Sequence, residues 1–236
     1  MRSLTVRDRQ PELMDQPGLD AKIHHRALAG LGKANSITRI ARVVWHSIHG
    51  ACCPVVSNHP LRILDIASGG GDITLGVARL AARAGIAVEA HGCDANPTAI
   101  TYAQDAARRA GITNTRFFQL DALADPLDEY DVVMSTLFLH HLAEEEARRL
   151  LQKMAAAATR FVVVDDLCRN RLGYFYAWAG VRLLTRSRIV HTDGPLSVRA
   201  AFTTDEAAQL ARDAGWQNID IRAHWPQRFI MSWKKS

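Results

Sequence analysis

Two rhythms of apolar positions divide the chain. In the first, Ile23, Ala27, Leu28 and Leu31 recur at helical spacing, with Asp20 where an N-cap belongs and Gly30 and Gly32 near the expected end. A second helix is predicted from about Ser36, its apolar face made by Ile37, Ile40, Ala41, Val44, Trp45 and Ile48 and its end marked by Gly50 and Pro54. Residues 1–19 hold charges, two prolines and Gly18, and read as a loose, flexible lead-in.

Past residue 58 short apolar runs alternate with helical patterns. Strands are expected at 62–66, 88–93, 115–119, 131–135 and 161–165, and helices at 73–83, 97–110, 144–158 and 204–214. A mostly helical stretch, 171–201, interrupts the alternation. Segments 219–223 and 228–233, separated by Pro226, read as an antiparallel pair at one edge. The pattern predicts an α/β fold with a mainly parallel sheet and helices on both faces.

Composition narrows the class. Hydrophobic residues make up 48% of the 236, enough for a core of that size. The net charge of +5 is spread out, without a dense Lys/Arg tract interleaved with aromatics, so nothing suggests nucleic acid as a partner. An acidic substrate or a membrane surface fits the charge equally well. The four cysteines include one adjacent pair, Cys52–Cys53, and no CxxC or zinc spacing, which reads as reduced thiols in a cytoplasmic protein. The N-terminus lacks a signal-peptide pattern, and no apolar run approaches the ~20 residues of a membrane span.

The chemistry concentrates in "LDIASGGGD". The first strand ends at Asp65, the next helix starts near Asp72, and Gly69, Gly70 and Gly71 lie between. Glycine permits positive φ and close approach of a ligand, and the helix N-terminus beyond offers unpaired N–H groups. A tight turn with nothing bound is the plain alternative, but it needs fewer glycines. A phosphate loop would require Lys after Gly71, and the dinucleotide pattern fails at Thr74. Asp65 would repel a pyrophosphate and suits a ligand with a cationic amino group. Asp94 follows the second strand, placed to hold ribose hydroxyls, and Asp121 follows the third, where its carboxylate and the Ala122 N–H match an adenine edge. Acids at strand ends also serve as turn formers; three in succession line the rim where open α/β sheets bind ligands.

The set "LDIASGGGD", "HGCDANP", "QLDAL" and "YDVVMSTLFLHHL" resembles the four successive motifs of class I S-adenosylmethionine-dependent methyltransferases, closely over residues 60–166 and loosely to 236. The resemblance implies a Rossmann-like seven-stranded sheet with its last strand antiparallel. It implies an N-terminal helical cap at 20–50, a methyltransferase domain at 58–236, and a helical insert at 171–201 forming an acceptor lid. It assigns the methionine end of the donor to Asp65, Ala67, Ser68, Gly69 and Gly71, with Ala67 in the place of the family's first glycine. Asp94 and Ala95 take the ribose and Asp121 and Ala122 the adenine. Leu137, in "LFLHHL", lies on the segment passing under the donor.

Methyl transfer from a sulfonium is an in-line displacement, in which the protein mainly aligns the partners. A hydroxyl acceptor also benefits from a base. His140 and His141, at the end of the fourth strand, are candidates; capping the next helix or lining the pocket is the bland reading. His191, in "IVHTDGP", a segment expected to loop over the rim, is a third candidate. Asp165 and Asp166 are adjacent on a strand and so point to opposite faces, and no metal is expected. The stretch 171–190 carries Leu172, Phe175, Tyr176, Trp178, Leu183 and Leu184 among four arginines. It reads as an aromatic lid, as a core-packing helix, or as a docking face for an anionic membrane. The N-terminal helices are expected to close the donor site, with Arg26 and Asn35 as contacts.

The overall pattern is most similar to bacterial small-molecule methyltransferases of quinone and polyketide-phenol type. That implies O-methylation of a lipophilic phenol or quinol in secondary metabolism. An NAD(P)-dependent oxidoreductase and an inactive donor-binding partner subunit are the competing readings. No Pro-Pro-Tyr/Phe signature of base amino-group methylation is present. The oligomeric state stays open.

Overall fold

The computed structural model describes residues 4–15, 18–52, 59–185 and 187–235. Pro54, Cys53 and Arg186, which figured in the readings above, lie outside them. Helices α1 (Ala21–Thr38) and α2 (Ile40–Cys52) precede an alternating series: β1 (Leu61–Ile66), α3 (Asp72–Arg83), β2 (Val88–Asp94), α4 (Pro97–Ala110), β3 (Thr115–Gln119), β4 (Tyr130–Thr136), α5 (Glu144–Ala157) and β5 (Ala158–Leu167). Helices α6 (Arg171–Leu184) and α7 (Arg188–Ala200) form the insert, followed by α8 (Thr204–Asp213), β6 (Asp220–His224) and β7 (Arg228–Lys234).

The seven strands lie in the order β3-β2-β1-β4-β5-β7-β6. β7 alone runs antiparallel to both its neighbours, β5 and β6. The order reverses direction between β1 and β4, which opens a crevice at the carboxyl ends of those strands, where ligands bind in such sheets. The central strands are buried on both faces, so they read as apolar runs rather than alternations: "VVM" in β4 and "FVVV" in β5. One face packs α5 through Leu150, Leu151 and Met154 and α8 through Ala207 and Ala211. The other packs α2 and α3 through Ile40, Val44, Ile73 and Val77, with α4 beside them on Ile100 and Phe117.

Local chemistry sets the boundaries. The Asp20 carboxylate accepts from the Lys22 and Ile23 N–H groups, as an N-cap does. Thr203 and Glu206 form a reciprocal capping box at α8. The first helix, however, continues through Gly30 and Gly32 and breaks only at Arg39, a left-handed residue at φ 56°. Gly30 provides close approach: a Cβ there would stand 2.7 Å from Thr185 Oγ1. The expected loose lead-in is also laid against the body over residues 4–15. Arg7 donates to the carbonyls of His140, Leu142 and Ala200 and stacks 3.7 Å over the Phe202 ring. The Asp193 carboxylate accepts from the Leu13 and Met14 N–H groups.

Candidate active site

Along the carboxyl ends of the strands runs a cavity of about 1140 Å³, lined mostly by apolar surface. Single-ligand pockets span roughly 300–1,000 Å³, so there is room for two molecules together.

The β1–α3 bend forms one wall. Ala67, Gly69 and Gly71 all take positive φ, at 55°, 53° and 73°, which turns the chain sharply into α3. Asp94, at the end of β2, holds the bend: its Oδ2 accepts from the Gly69 N–H at 2.9 Å and its Oδ1 from the Asn96 N–H at 2.8 Å. A carboxylate oxygen accepts more than one hydrogen bond, so capacity remains for a diol. Asp121 accepts from the Leu123 N–H and lines the cavity next to the buried Ala122. Ala67, Ser68, Gly69, Asp94, Ala95, Asp121, Ala122 and Leu137, expected at the donor, all face this space.

Two expected donor residues do not. Asp65 is fully buried beneath the bend, where its Oδ2 accepts from Thr74 Oγ1 at 2.6 Å. Burial raises its carboxyl to about 7. Gly71 is also absent from the cavity wall; a Cβ there would lie 2.7 Å from the Phe117 ring and 2.9 Å from Ala103 Cβ. Its bareness serves packing. The acid that does face the cavity at this corner is Asp72, whose carboxyl burial lifts above the ordinary range while Asn35 Nδ2 donates to it at 3.1 Å. Asn35 thus takes part in the site from α1, while Arg26 does not line the cavity.

The opposite wall holds the histidines. After β4 the chain turns at Leu137, at φ 55°, its N–H donating to the Asp165 carbonyl. His140 follows, 2% exposed. Its Nδ1 lies 2.6 Å from Asp166 Oδ1, and its backbone N–H donates to Asp166 Oδ2 at 3.0 Å. Burial alone would raise Asp166, but the facing His140 and the Leu167 N–H hold it below the ordinary carboxylate range. An ionised carboxylate only accepts, so His140 Nδ1 carries the hydrogen and Nε2 is left to exchange a proton. Nε2 faces Glu12 Oε1 at 3.7 Å. Glu12 comes from the lead-in and accepts from Ser197 Oγ at 2.6 Å. His141 stacks on His140 with centroids 4.3 Å apart and also lines the cavity.

His191 stands elsewhere. The segment expected as a loop over the rim is part of α7, and His191 Nε2 turns to the Thr185 carbonyl at 2.7 Å, off the cavity wall. Asp165 and Asp166 do part to opposite sides of β5: Asp165 pairs with His224 and Arg228. Glu12, His140 and His141 bring one potential ligand atom each within 4.8 Å of one another. No spacing rule reveals that group, since Glu12 lies 128 positions before His140 in a segment without periodicity.

Residues 63–160 match the family model of the methyltransferase domain. No curated protein matches the chain. Solved structures share its fold. An O-methyltransferase family 2 protein of Planctomyces limnophilus, in complex with apigenin, is 15% identical with a TM-score of 0.67, over 94% of this chain and 63% of that one. Human N-acetylserotonin methyltransferase, in complex with SAM, is 12% identical with a TM-score of 0.67, over 92% and 57%. The chain therefore spans about three fifths of those two proteins. Magnesium protoporphyrin IX methyltransferase of Synechocystis, with bound SAH, is 16% identical with a TM-score of 0.60, over 94% and 91%. Residues 63–160 thus match a methyltransferase domain, and the chain around them shares the fold of these solved methyltransferases.

Proposed function

We propose that the protein transfers a methyl group from S-adenosylmethionine to a phenol or quinol oxygen of a small lipophilic aromatic. The observation that carries this reading is the buried His140–Asp166 pair on the wall of an apolar cavity whose other wall bears the donor motifs.

The residues fit the donor. Ser68 and Gly69 line the cavity at the bend, and the raised Asp72 carboxyl gains from a cation placed against it. Ser68, Gly69 and Asp72 would hold the amino-acid end, Asp94 the ribose diol, and Asp121 with Ala122 the adenine edge. When bound, the donor supplies a methyl group already activated by its sulfonium.

The rest falls to the protein. Gly173, Ala177, Val181 and Leu184 leave a smooth apolar roof over the acceptor space. That roof excludes water and favours a flat aromatic. His140 Nε2 accepts the hydroxyl proton as oxygen attacks, and Asp166 stabilises the imidazolium that results. Glu12, 3.7 Å from Nε2, adds a second negative charge beside that imidazolium. The P. limnophilus relative binds apigenin, a polyphenol, which supports the acceptor class.

The test is incubation with methyl-labelled donor and a panel of lipophilic phenols, quinols, amines and thiols. Label on phenol or quinol oxygen, lost in His140→Gln with donor affinity kept, is the expected result. Label on nitrogen or sulfur alone would refute the acceptor class. Donor binding without turnover on any acceptor would favour a non-catalytic partner subunit.

A further inference from the structure

Helix α6 turns much of its large apolar surface to solvent. A surface helix normally turns its large apolar residues inward and its polar ones outward. Gly173, Ala177 and Gly180 face the cavity together with Val181 and Leu184, and Gly173 is the one buried residue of the helix. The large side chains point to solvent: Leu172 is 47% exposed, Phe175 56%, Trp178 46% and Leu183 84%. Phe175 and Trp178 stack on each other, centroids 6.4 Å apart. Trp225, 60% exposed on the β6–β7 turn, adds to the same cavity mouth.

Charge accompanies this face. From residue 167 to 192 the sequence holds no Asp or Glu, and α6 exposes Arg171 and Arg182, with Arg188 opening α7. Among the described residues no carboxylate pairs with these three. The Arg182 guanidinium lies 4.8 Å over the Trp178 ring. Aromatic side chains with interleaved, unneutralised arginines are the composition of a helix lying in the headgroup region of an anionic bilayer. A contiguous exposed apolar patch also marks an interaction site on general grounds.

We infer that the exposed face of α6, with Trp225, docks on an anionic lipid bilayer and sets the cavity mouth against it. Tyr176, Leu183 and Trp225 belong both to the exposed face and to the cavity wall. A lipophilic acceptor dissolved in the bilayer therefore enters the cavity without crossing water. Gly173, Ala177 and Gly180 add little bulk on the cavity side of α6. No helix of the described residues is long and apolar enough to cross a membrane.

The test is co-sedimentation of the full chain with vesicles of phosphatidylcholine and phosphatidylglycerol in equal parts, and with phosphatidylcholine alone. Phe175 and Trp178 lie off the cavity wall, so Phe175→Ser with Trp178→Ser should leave S-adenosylhomocysteine affinity and melting temperature unchanged. Partition onto the anionic vesicles should fall by about tenfold or more in that variant. Arg171→Gln with Arg182→Gln should lose the preference for phosphatidylglycerol, and salt should weaken binding of the wild type. Failure of the full chain to bind anionic vesicles would overturn the inference. So would wild-type partition in the Phe175/Trp178 variant. A self-association that the same substitutions abolish, without vesicle binding, would instead make this face an interface between two copies of the chain.

Discussion

Asp166→Asn isolates the proposed base, His140, from the rest of the site. The asparagine keeps the shape of the carboxylate but not its three acceptor contacts, which serve His140 Nδ1, the His140 N–H and the Leu167 N–H. If the amide oxygen faces Nδ1 and Leu167, the NH2 opposes the His140 N–H. If it is flipped, the NH2 donates to Nδ1, the imidazole hydrogen moves to Nε2, and the base is lost. Either arrangement leaves at least one buried donor unpaired, at a cost of about 1–3 kcal/mol in folding stability. The flipped arrangement also removes proton acceptance, worth about 10²–10⁴ in kcat. The assay is release of S-adenosylhomocysteine with a phenolic acceptor, beside titration of S-adenosylhomocysteine. Turnover should fall while product affinity holds, and an acceptor already ionised at the assay pH should be spared most of the loss. Wild-type turnover in this variant with an un-ionised phenol would refute the role of the pair.

Three further outcomes follow from the geometry. Gly71→Ala combines left-handed strain of about 1–2 kcal/mol with a clash against the Phe117 ring and Ala103 of about 1–3 kcal/mol, and should lower stability by roughly 2–5 kcal/mol in urea denaturation. Asp65, raised by burial to about 7, binds its proton more tightly folded than unfolded. Its contribution to stability therefore falls as pH rises from the ordinary carboxylate value near 3.8 to about 7 and then levels, by up to about 1.4 kcal/mol per pH unit; Asp65→Asn should flatten that decline in denaturation curves across this range. Zinc should inhibit turnover reversibly by occupying Glu12, His140 Nε2 and His141, with recovery on adding a chelator; undiminished turnover with zinc bound would show that Nε2 is not needed.

Much of the fold is legible in the chain because the two periods, 3.6 and 2, are strong where the core is continuous. The helix 97–110 and the strand 115–119 are read to the residue, since Asn96–Pro97 and Gly111 punctuate the first and "RFF" the second. The rim acids Asp94 and Asp121 are legible for the same reason: strand ends are legible. Asp65 shows the limit. Its sequence neighbours belong to the site, but its own side chain passes beneath the bend to Thr74, and the cavity is faced by Asp72. The end of the first helix is misread because Gly30 and Gly32 look like terminators, whereas both lie inside α1 and Gly30 admits Thr185. His191 is misplaced because Gly194 and Pro195 suggest a loop, yet Pro195 lies inside α7. The lead-in has no apolar period at all. Its order comes from Arg7 and Arg9 on carbonyls near the histidines and from Asp193 on backbone N–H groups, pairings that only the tertiary structure brings together.

The account rests on a glycine bend and the strand-end acid Asp94 holding a sulfonium nucleoside and not a dinucleotide. Calorimetric titration of the protein with S-adenosylhomocysteine and with NADH tests it most directly. Binding of S-adenosylhomocysteine, absent for NADH and weakened in Asp94→Ala by about 1.5–3 kcal/mol through loss of charged hydrogen bonds, is the predicted result. Binding of NADH without S-adenosylhomocysteine, or an unchanged affinity in Asp94→Ala, would contradict it.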